Sequence, residues 1–242
     1  MRIYKNKLIN HPRGDISKEK NRGIIIGATG ATGAKLVKLL LKSDKWEKIT
    51  TISRKPVLEG KSHKKLNEVI ISSFDQLDQT FNNWKGHDSF FNCIGTTRKI
   101  AGGAKQFVDI EYGISLKSAE LANKADIPNA SVISASGANP DGFSVDWIHP
   151  LLYTKTIGLK EETLTRNYNF NNVSIFRPGM LMRYYDKTSS LQQFFNNSFL
   201  GLPVSLLASA MKRDAESIQT QTSKTESIVY AGNKCIKSSI SL

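Results

Sequence analysis

The sequence predicts an α/β fold, a doubly wound parallel sheet with helices on both faces and a small C-terminal cover. From Gly23 onward, short apolar runs alternate with helical patterns, and that alternation is typical of a parallel sheet with crossover helices. A glycine-rich turn also joins the first apolar run to the first helical pattern. In doubly wound sheets such a turn lies at the ligand-binding edge. The 242 residues fit one domain of this kind.

Six apolar runs have the length of buried strands and are rich in Ile, Val, Phe and Thr, which favour that environment. The predicted strands are 23–26, 48–53, 68–72, 89–94, 130–134 and 173–176. The predicted helices between them are 32–43, 75–84, 105–125 and 150–167. The third helix carries apolar residues three or four positions apart, which predicts a buried face. The residues on that face are Phe107, Ile110, Ile114, Ser118 and Leu121.

The alternation fades after Arg177, where a helix around 204–218, a strand near 227–231 and a last short helix are predicted. We expect this extension, from about residue 180, to cover the carboxyl edge of the sheet. Residues 1–22 carry seven Lys or Arg against Asp15 and Glu19, which predicts a flexible basic tail. The domain is then 23–242.

The formal net charge of +13 is compatible with a nucleic-acid, anionic-membrane or phosphorylated partner. The charges after residue 22 are scattered, and the chain has no nucleic-acid motif or aromatic stacking platform. We therefore expect a solvated basic surface and no nucleic-acid partner. No apolar run approaches the ~20 residues that span a bilayer, and the N-terminus lacks the apolar region of a secretory signal.

The two cysteines, Cys93 and Cys235, form neither a CxxC motif nor a metal-ligand spacing. This predicts no metal site and a reducing compartment. We expect a cytoplasmic protein, with nuclear or mitochondrial association left open.

The run GATGATG, residues 27–33, follows the first strand and begins the first helix. Gly27 suits a tight turn, Gly30 lets the backbone approach a pyrophosphate, and Gly33 lets helix and strand pack closely. The free N–H groups at the helix start then face the phosphates. A P-loop is excluded because no GK[ST] follows. The sequence therefore predicts a dinucleotide site.

Cofactor choice depends on the end of the second strand, where an acid would bind the adenosine ribose and repel a 2′-phosphate. The residues there are Ser53, Arg54 and Lys55. The Arg54 guanidinium can bind a phosphate through two hydrogen bonds, and the Lys55 ammonium adds a positive charge. We therefore predict NADP(H). The alternative is that both are ordinary surface cations, which leaves the preference open.

Several longer segments resemble atypical short-chain dehydrogenase/reductases, close to the Tat-interactive-protein oxidoreductases and their fungal mitochondrial relatives. They are GATGATG (27–33), FNCIGTTRKIAGG (91–103), LKSAELA (116–122), ISASGAN (133–139) and FRPGM (176–180). The resemblance implies an NAD(P)-binding Rossmann fold, NADP(H) binding and a tyrosine-centred active site. The implied cofactor positions are Thr29, Gly30, Ala31, Thr32, Arg54, Lys55, Ile94, Gly95, Tyr153 and Met180.

In such enzymes a tyrosine donates a proton to a carbonyl, and a lysine four residues later lowers the pKa of that tyrosine. Tyr153 matches the tyrosine, but Ile157 stands in place of the lysine. Lys160 lies on nearly the same side of the helix, ~10.5 Å further along it. Without the lysine, we expect Tyr153 to ionise near its usual value.

A hydroxyl that orients the substrate is also expected, and Ser134 after the fifth strand is the best candidate, with Ser136 second. Two alternatives stay open. Tyr153 could be a buried aromatic residue with a purely structural role. His149 could be an alternative acid or a structural residue at the start of the helix.

Two functions follow. The first is an oxidoreductase that acts on a small carbonyl or alcohol through a weakened active site. The second is a non-catalytic NADPH-binding regulatory protein that acts through protein partners. The glycine-rich turn supports both equally, Tyr153 and Ser134 favour the first, and Ile157 favours the second.

Overall fold

The computed structural model describes residues 20–59, 61–182, 201–218 and 227–241. Seven strands form one sheet in which all pairs are parallel. They are β1 (Asn21–Ile26), β2 (Trp46–Ser53), β3 (Leu66–Ile70), β4 (Ser89–Asn92), β5 (Asn129–Ile133), β6 (Asn172–Arg177) and β9 (Ile228–Ala231). The two-residue strands β7 (Leu181–Met182) and β8 (Leu202–Pro203) pair with each other in a separate sheet.

The strand order is β3-β2-β1-β4-β5-β6-β9. The chain builds outward from β1 to β3 and then returns to place β4 on the other side of β1. This reversal creates a crevice at the carboxyl ends of β1 and β4, where open parallel sheets bind ligands.

The helices form two layers, one on each face of the sheet. They are α1 (Ala31–Lys42), a 3₁₀ helix (Phe74–Asn83), α2 (Arg98–Ala101), α3 (Ala104–Val108), α4 (Ser115–Lys124), α5 (His149–Arg166), α6 (Val204–Ile218) and α7 (Gly232–Ser241). Helices α3 and α4 are continuous through a π-helical turn (Asp109–Ile114). One layer packs Leu40, Met211 and Ile236 of α1, α6 and α7 into one core cluster. The other packs Ala119 and Leu164 of α4 and α5 into a second.

The predicted fold class is confirmed, and the predicted strands overlap those of the structure within about two residues. Strand β1 begins at Asn21, inside the region predicted as tail, and residues 1–19 lie outside the described part of the chain. The helix predicted over 75–84 is present as Phe74–Asn83, but it is a 3₁₀ helix, and the Ser73 side chain caps its start. It lies in the connection that takes the chain from β3 past β2 and β1 to β4.

The third helix also differs from its prediction. Phe107, Ser118 and Leu121 are buried, whereas Ile110 and Ile114 are only partly buried. The π-helical turn changes the residue spacing at this point, and Glu111 is buried instead. Among the described residues, no helix is both long and apolar enough to cross a membrane.

Candidate active site

The glycine-rich turn has the geometry that its sequence predicts. Gly27 has a φ of +75°, and a Cβ there would lie 2.5 Å from the Cys93 carbonyl carbon. A Cβ on Gly33 would lie 2.3 Å from the Gly27 carbonyl oxygen. Side chains at these two positions would therefore collide with backbone. Gly30 is the N-cap of α1 and provides no capping side chain, so the first N–H groups of α1 are left for an anionic ligand.

A cavity of about 530 Å³ joins this turn to the carboxyl ends of β4 and β5 and to α5. Eight predicted site residues line it, and they are Gly30, Ala31, Thr32, Ile94, Gly95, Ser134, Tyr153 and Met180. From the C-terminal extension, Leu181 and Val204 also reach the wall. The remainder of α6 packs on α1.

Five predicted cofactor residues do not line this cavity. Gly27 and Gly33 shape the turn behind it, and Thr29 is exposed on the turn. Arg54 and Lys55 are exposed just after β2, beside β1. The Arg54 guanidinium lies 5.5 Å from the centre of the Phe74 ring, and the Lys55 carbonyl accepts a hydrogen bond from Ser53 Oγ at 2.7 Å.

Tyr153 lies in the second turn of α5 and is packed among aromatic rings. Its ring centre is 5.8 Å from that of Phe107 and 5.8 Å from that of His149. Burial raises the pKa of Tyr153 to about 12, and the negative charge of Glu111 adds to this effect. The expectation that Tyr153 ionises near its usual value is therefore wrong. The phenol keeps its proton throughout the neutral range.

Helix α5 supplies two further groups to the cavity wall. Ile157 is buried at the position of the absent lysine, and Lys160, one turn further on, is also fully buried. The Lys160 ammonium donates to Glu111 Oε2 at 3.2 Å. Glu111 Oε1 accepts from the Thr96 N–H at 2.5 Å. The acid therefore connects α5 with the loop that follows β4.

Ser134 lies directly after β5, and its hydroxyl already has a partner. It donates to Glu161 of α5, and Arg177 of β6 donates to the same carboxylate. Arg177 Nε lies 2.9 Å from Glu161 Oε1 and 3.1 Å from Oε2. Because its proton is committed, Ser134 can offer a ligand only an acceptor lone pair. Ser136 is exposed and does not line the cavity.

Two lining side chains have chemistry that the motifs did not assign. Cys93 is buried, and that burial raises the pKa of its thiol to about 12, so it is not a thiolate nucleophile near neutral pH. His149 begins α5, and its Nδ1 is buried without a hydrogen-bond partner among the described residues. The described residues contain no group of three or more His, Cys, Asp or Glu that could ligate a metal.

Glu111 lines the cavity although no sequence motif identified it as a site residue. It belongs to the π-helical turn, and an acid at that position carries no local signal for burial. Lys160 was singled out by helical geometry alone, and the structure brings it into the cavity wall with Tyr153.

The parallel sheet with the glycine-rich turn at its switch point is the Rossmann fold of the atypical short-chain dehydrogenase/reductases. No family model matches the chain. Protein HTATIP2 of Rattus norvegicus is 32% identical over 171 residues, which are 70% of this chain and 66% of the rat protein. Mitochondrial protein FMP52 of Debaryomyces hansenii is 33% identical over 189 residues, 76% of this chain and 79% of the relative. The chain belongs to the family of HTATIP2 and FMP52, as its motifs predict.

Solved structures show the same fold at lower identity. The oxidoreductase ylbE from Lactococcus lactis has a TM-score of 0.65 at 20% identity, covering 91% of this chain and 95% of its own. The WbmH enzyme of Bordetella bronchiseptica in complex with NAD+ has a TM-score of 0.62 at 15% identity, covering 88% and 75%. A short-chain dehydrogenase from Burkholderia cenocepacia in complex with NADP has a TM-score of 0.62 at 14% identity, covering 88% and 89%.

Proposed function

We propose that this protein binds NADP(H) and acts as an oxidoreductase on a small carbonyl or alcohol. The observation that carries this proposal is the continuity of one cavity from the open N-terminus of α1 to Tyr153. The uncapped helix start suits a pyrophosphate, and the glycines leave no side chain in its way. A nicotinamide cofactor supplies or accepts a hydride when it is bound.

WbmH is in complex with NAD+ and the Burkholderia cenocepacia short-chain dehydrogenase is in complex with NADP, so these fold neighbours support a nicotinamide dinucleotide without choosing between the two. The choice of NADP(H) is supported by this chain's own residues. Arg54 and Lys55 are exposed where an NAD-selective site would carry an acid. Ser53 holds the Lys55 carbonyl, which fixes the backbone on which both cations are presented.

The residues beside the substrate end of the cavity then have defined tasks. Tyr153 holds a proton that it can give to a developing alkoxide. Ser134, whose hydroxyl donates to Glu161, can accept a hydrogen bond from a substrate hydroxyl. Glu111 and Lys160 are the ionisable pair in the cavity wall, and their charges cancel. The site therefore suits an uncharged substrate.

The second candidate is a non-catalytic NADPH-binding regulatory protein that acts on a protein partner through its C-terminal extension. It is favoured by Ile157, because no cation stands one turn from Tyr153, and by the raised pKa of the Tyr153 phenol. A phenol that does not ionise at neutral pH is a poor base, although it can still donate a proton.

The test begins with fluorescence titrations of NADPH and NADH against the native protein and Arg54→Ala. We expect tighter NADPH binding in the native protein and a loss of roughly tenfold in Arg54→Ala, as for one charged hydrogen bond. Lys38→Ala is a matched control, since Lys38 is exposed on α1. Equal affinities for NADPH and NADH in the native protein would contradict the choice of cofactor.

The second stage measures turnover of a panel of quinones, ketones and simple alcohols with the native protein and Tyr153→Phe. Turnover that Tyr153→Phe abolishes supports the oxidoreductase. NADPH binding without turnover of any member of the panel would instead favour the regulatory protein.

The location of the protein is also a proposal. The fungal relatives are named mitochondrial, and this supports a mitochondrial association. The expected cytoplasmic location stays a prediction.

A further inference from the structure

The buried ammonium of Lys160 has more donors than the protein uses. An ammonium carries three N–H groups, and among the described residues only Glu111 Oε2, at 3.2 Å, accepts from it. Lys160 is 0% exposed and lines the cavity that contains Tyr153. Buried donors are almost always paired. Because Lys160 lines the cavity, a ligand bound there can supply an acceptor for the remaining N–H groups.

The neighbours of Lys160 indicate which kind of acceptor. Glu111 already balances the ammonium charge, so the pair favours a neutral hydroxyl over a phosphate. Glu111 Oε1 also binds the Thr96 N–H and lies 4.0 Å from the place where a Gly95 Cβ would be. The pair is thus next to the Ile94–Gly95 end of the cavity, away from the phosphate-binding start of α1.

We propose that Lys160, oriented by Glu111, is a cofactor-binding residue that donates hydrogen bonds to the ribose hydroxyls of the nicotinamide half of NADP(H). This inference rests on the proposed function. A dinucleotide with its pyrophosphate at α1 and its adenosine near Arg54 has only its nicotinamide riboside left to place towards Tyr153 and Lys160. Lys160 is therefore the cofactor-binding cation of this half-site, and Glu111 is its positioning residue.

A buried ion pair is also found where its role is purely structural, so the test must separate the two roles. Four variants do so, and they are Lys160→Met, Glu111→Gln, the double variant Glu111→Gln/Lys160→Met, and Lys155→Met as the control. Lys155 is on the same helix, about 200° away from Tyr153, and does not line the cavity. Thermal unfolding and the NADPH dissociation constant are measured for each variant.

Lys160→Met leaves a buried carboxylate unpaired, so we expect a lower Tm and an NADPH dissociation constant at least about tenfold higher. The double variant removes both charges, so its Tm should return towards that of the native protein while its NADPH affinity stays low. Glu111→Gln keeps the ammonium but removes its charged partner, so NADPH binding should weaken less than in Lys160→Met. Lys155→Met should change neither quantity.

Native-like NADPH affinity in the double variant would overturn the proposal, because the pair would then be structural. If Glu111→Gln fails to fold, the double variant and Lys155→Met still decide the question. Gly30→Val separates this proposal from the proposed function. If Gly30→Val abolishes NADPH binding while the double variant binds normally, the cavity holds the cofactor and only the role of Lys160 is wrong. If Gly30→Val binds NADPH normally, the proposed cofactor site itself fails.

Discussion

Gly33→Ala tests whether close packing of α1 on the glycine-rich turn is required by the fold and by the site. The added Cβ would lie 2.3 Å from the Gly27 carbonyl oxygen and 2.9 Å from Ala28 Cα, where ordinary contacts are 3.4–4 Å. The Gly27 oxygen cannot move freely, because it accepts the Gly30 N–H at 3.0 Å. Helix and turn must therefore separate by about 1 Å.

Overpacking of this kind costs about 1–3 kcal/mol, and alanine returns about 1 kcal/mol through its higher helix propensity. We expect a net loss of up to about 2 kcal/mol in the free energy of unfolding. NADPH binding should weaken as well, since the first turn of α1 is displaced. Urea denaturation and NADPH titration measure the two effects.

Gly113→Ala is the control for that substitution. Gly113 is exposed in the π-helical turn, and a Cβ there would meet no atom within 4 Å. This variant should be as stable as the native protein or slightly more stable. If Gly33→Ala matches the native protein in both stability and NADPH affinity, the argument from close packing is refuted.

Two further predictions concern the charged groups around the cavity. Because the pKa of Tyr153 is about 12, the phenolate needed for oxidation should grow about tenfold per pH unit between pH 7 and pH 10, while reduction varies little with pH. Ile157→Lys should lower that pKa and raise the oxidation rate at neutral pH. Rates of oxidation and of reduction measured across this pH range check the prediction. An oxidation rate that levels off below pH 10 would contradict it. Arg177→Met should leave the Glu161 carboxylate, which is 4% exposed, without its guanidinium partner. The free energy of unfolding measured by urea denaturation should fall by about 3–5 kcal/mol. A loss below about 1 kcal/mol would show that the Ser134 hydroxyl alone stabilises the carboxylate.

The sheet was predictable because each of its strands carries its own signal. Apolar runs such as 89–94, bounded by polar residues, identify strands without knowledge of their neighbours. The glycine-rich turn was predictable for the same reason, since the conformational demands at Gly27 and Gly33 are local. Helix α5 was also predicted within one residue at each end, since Pro150 suits a first turn.

The partners of the site side chains were not predictable in this way. The hydroxyl of Ser134 binds Glu161, 27 positions away, and Arg177 joins them from another strand. Such contacts depend on how α5 crosses β5 and β6, which no local pattern encodes. The raised pKa of Tyr153 likewise arises from burial and from Glu111 in an irregular helical turn. Local sequence therefore identified the candidate residues, but tertiary packing determined their chemistry.

The central claim is that NADP(H) lies in the cavity between α1 and α5, with its nicotinamide half beside Tyr153. The most direct test is a crystal structure of the full chain with NADPH. The account predicts the pyrophosphate at the N-terminus of α1, the 2′-phosphate at Arg54 and Lys55, and the nicotinamide riboside between Tyr153 and Lys160. A cofactor bound elsewhere, or one whose nicotinamide half points away from Tyr153, would contradict it.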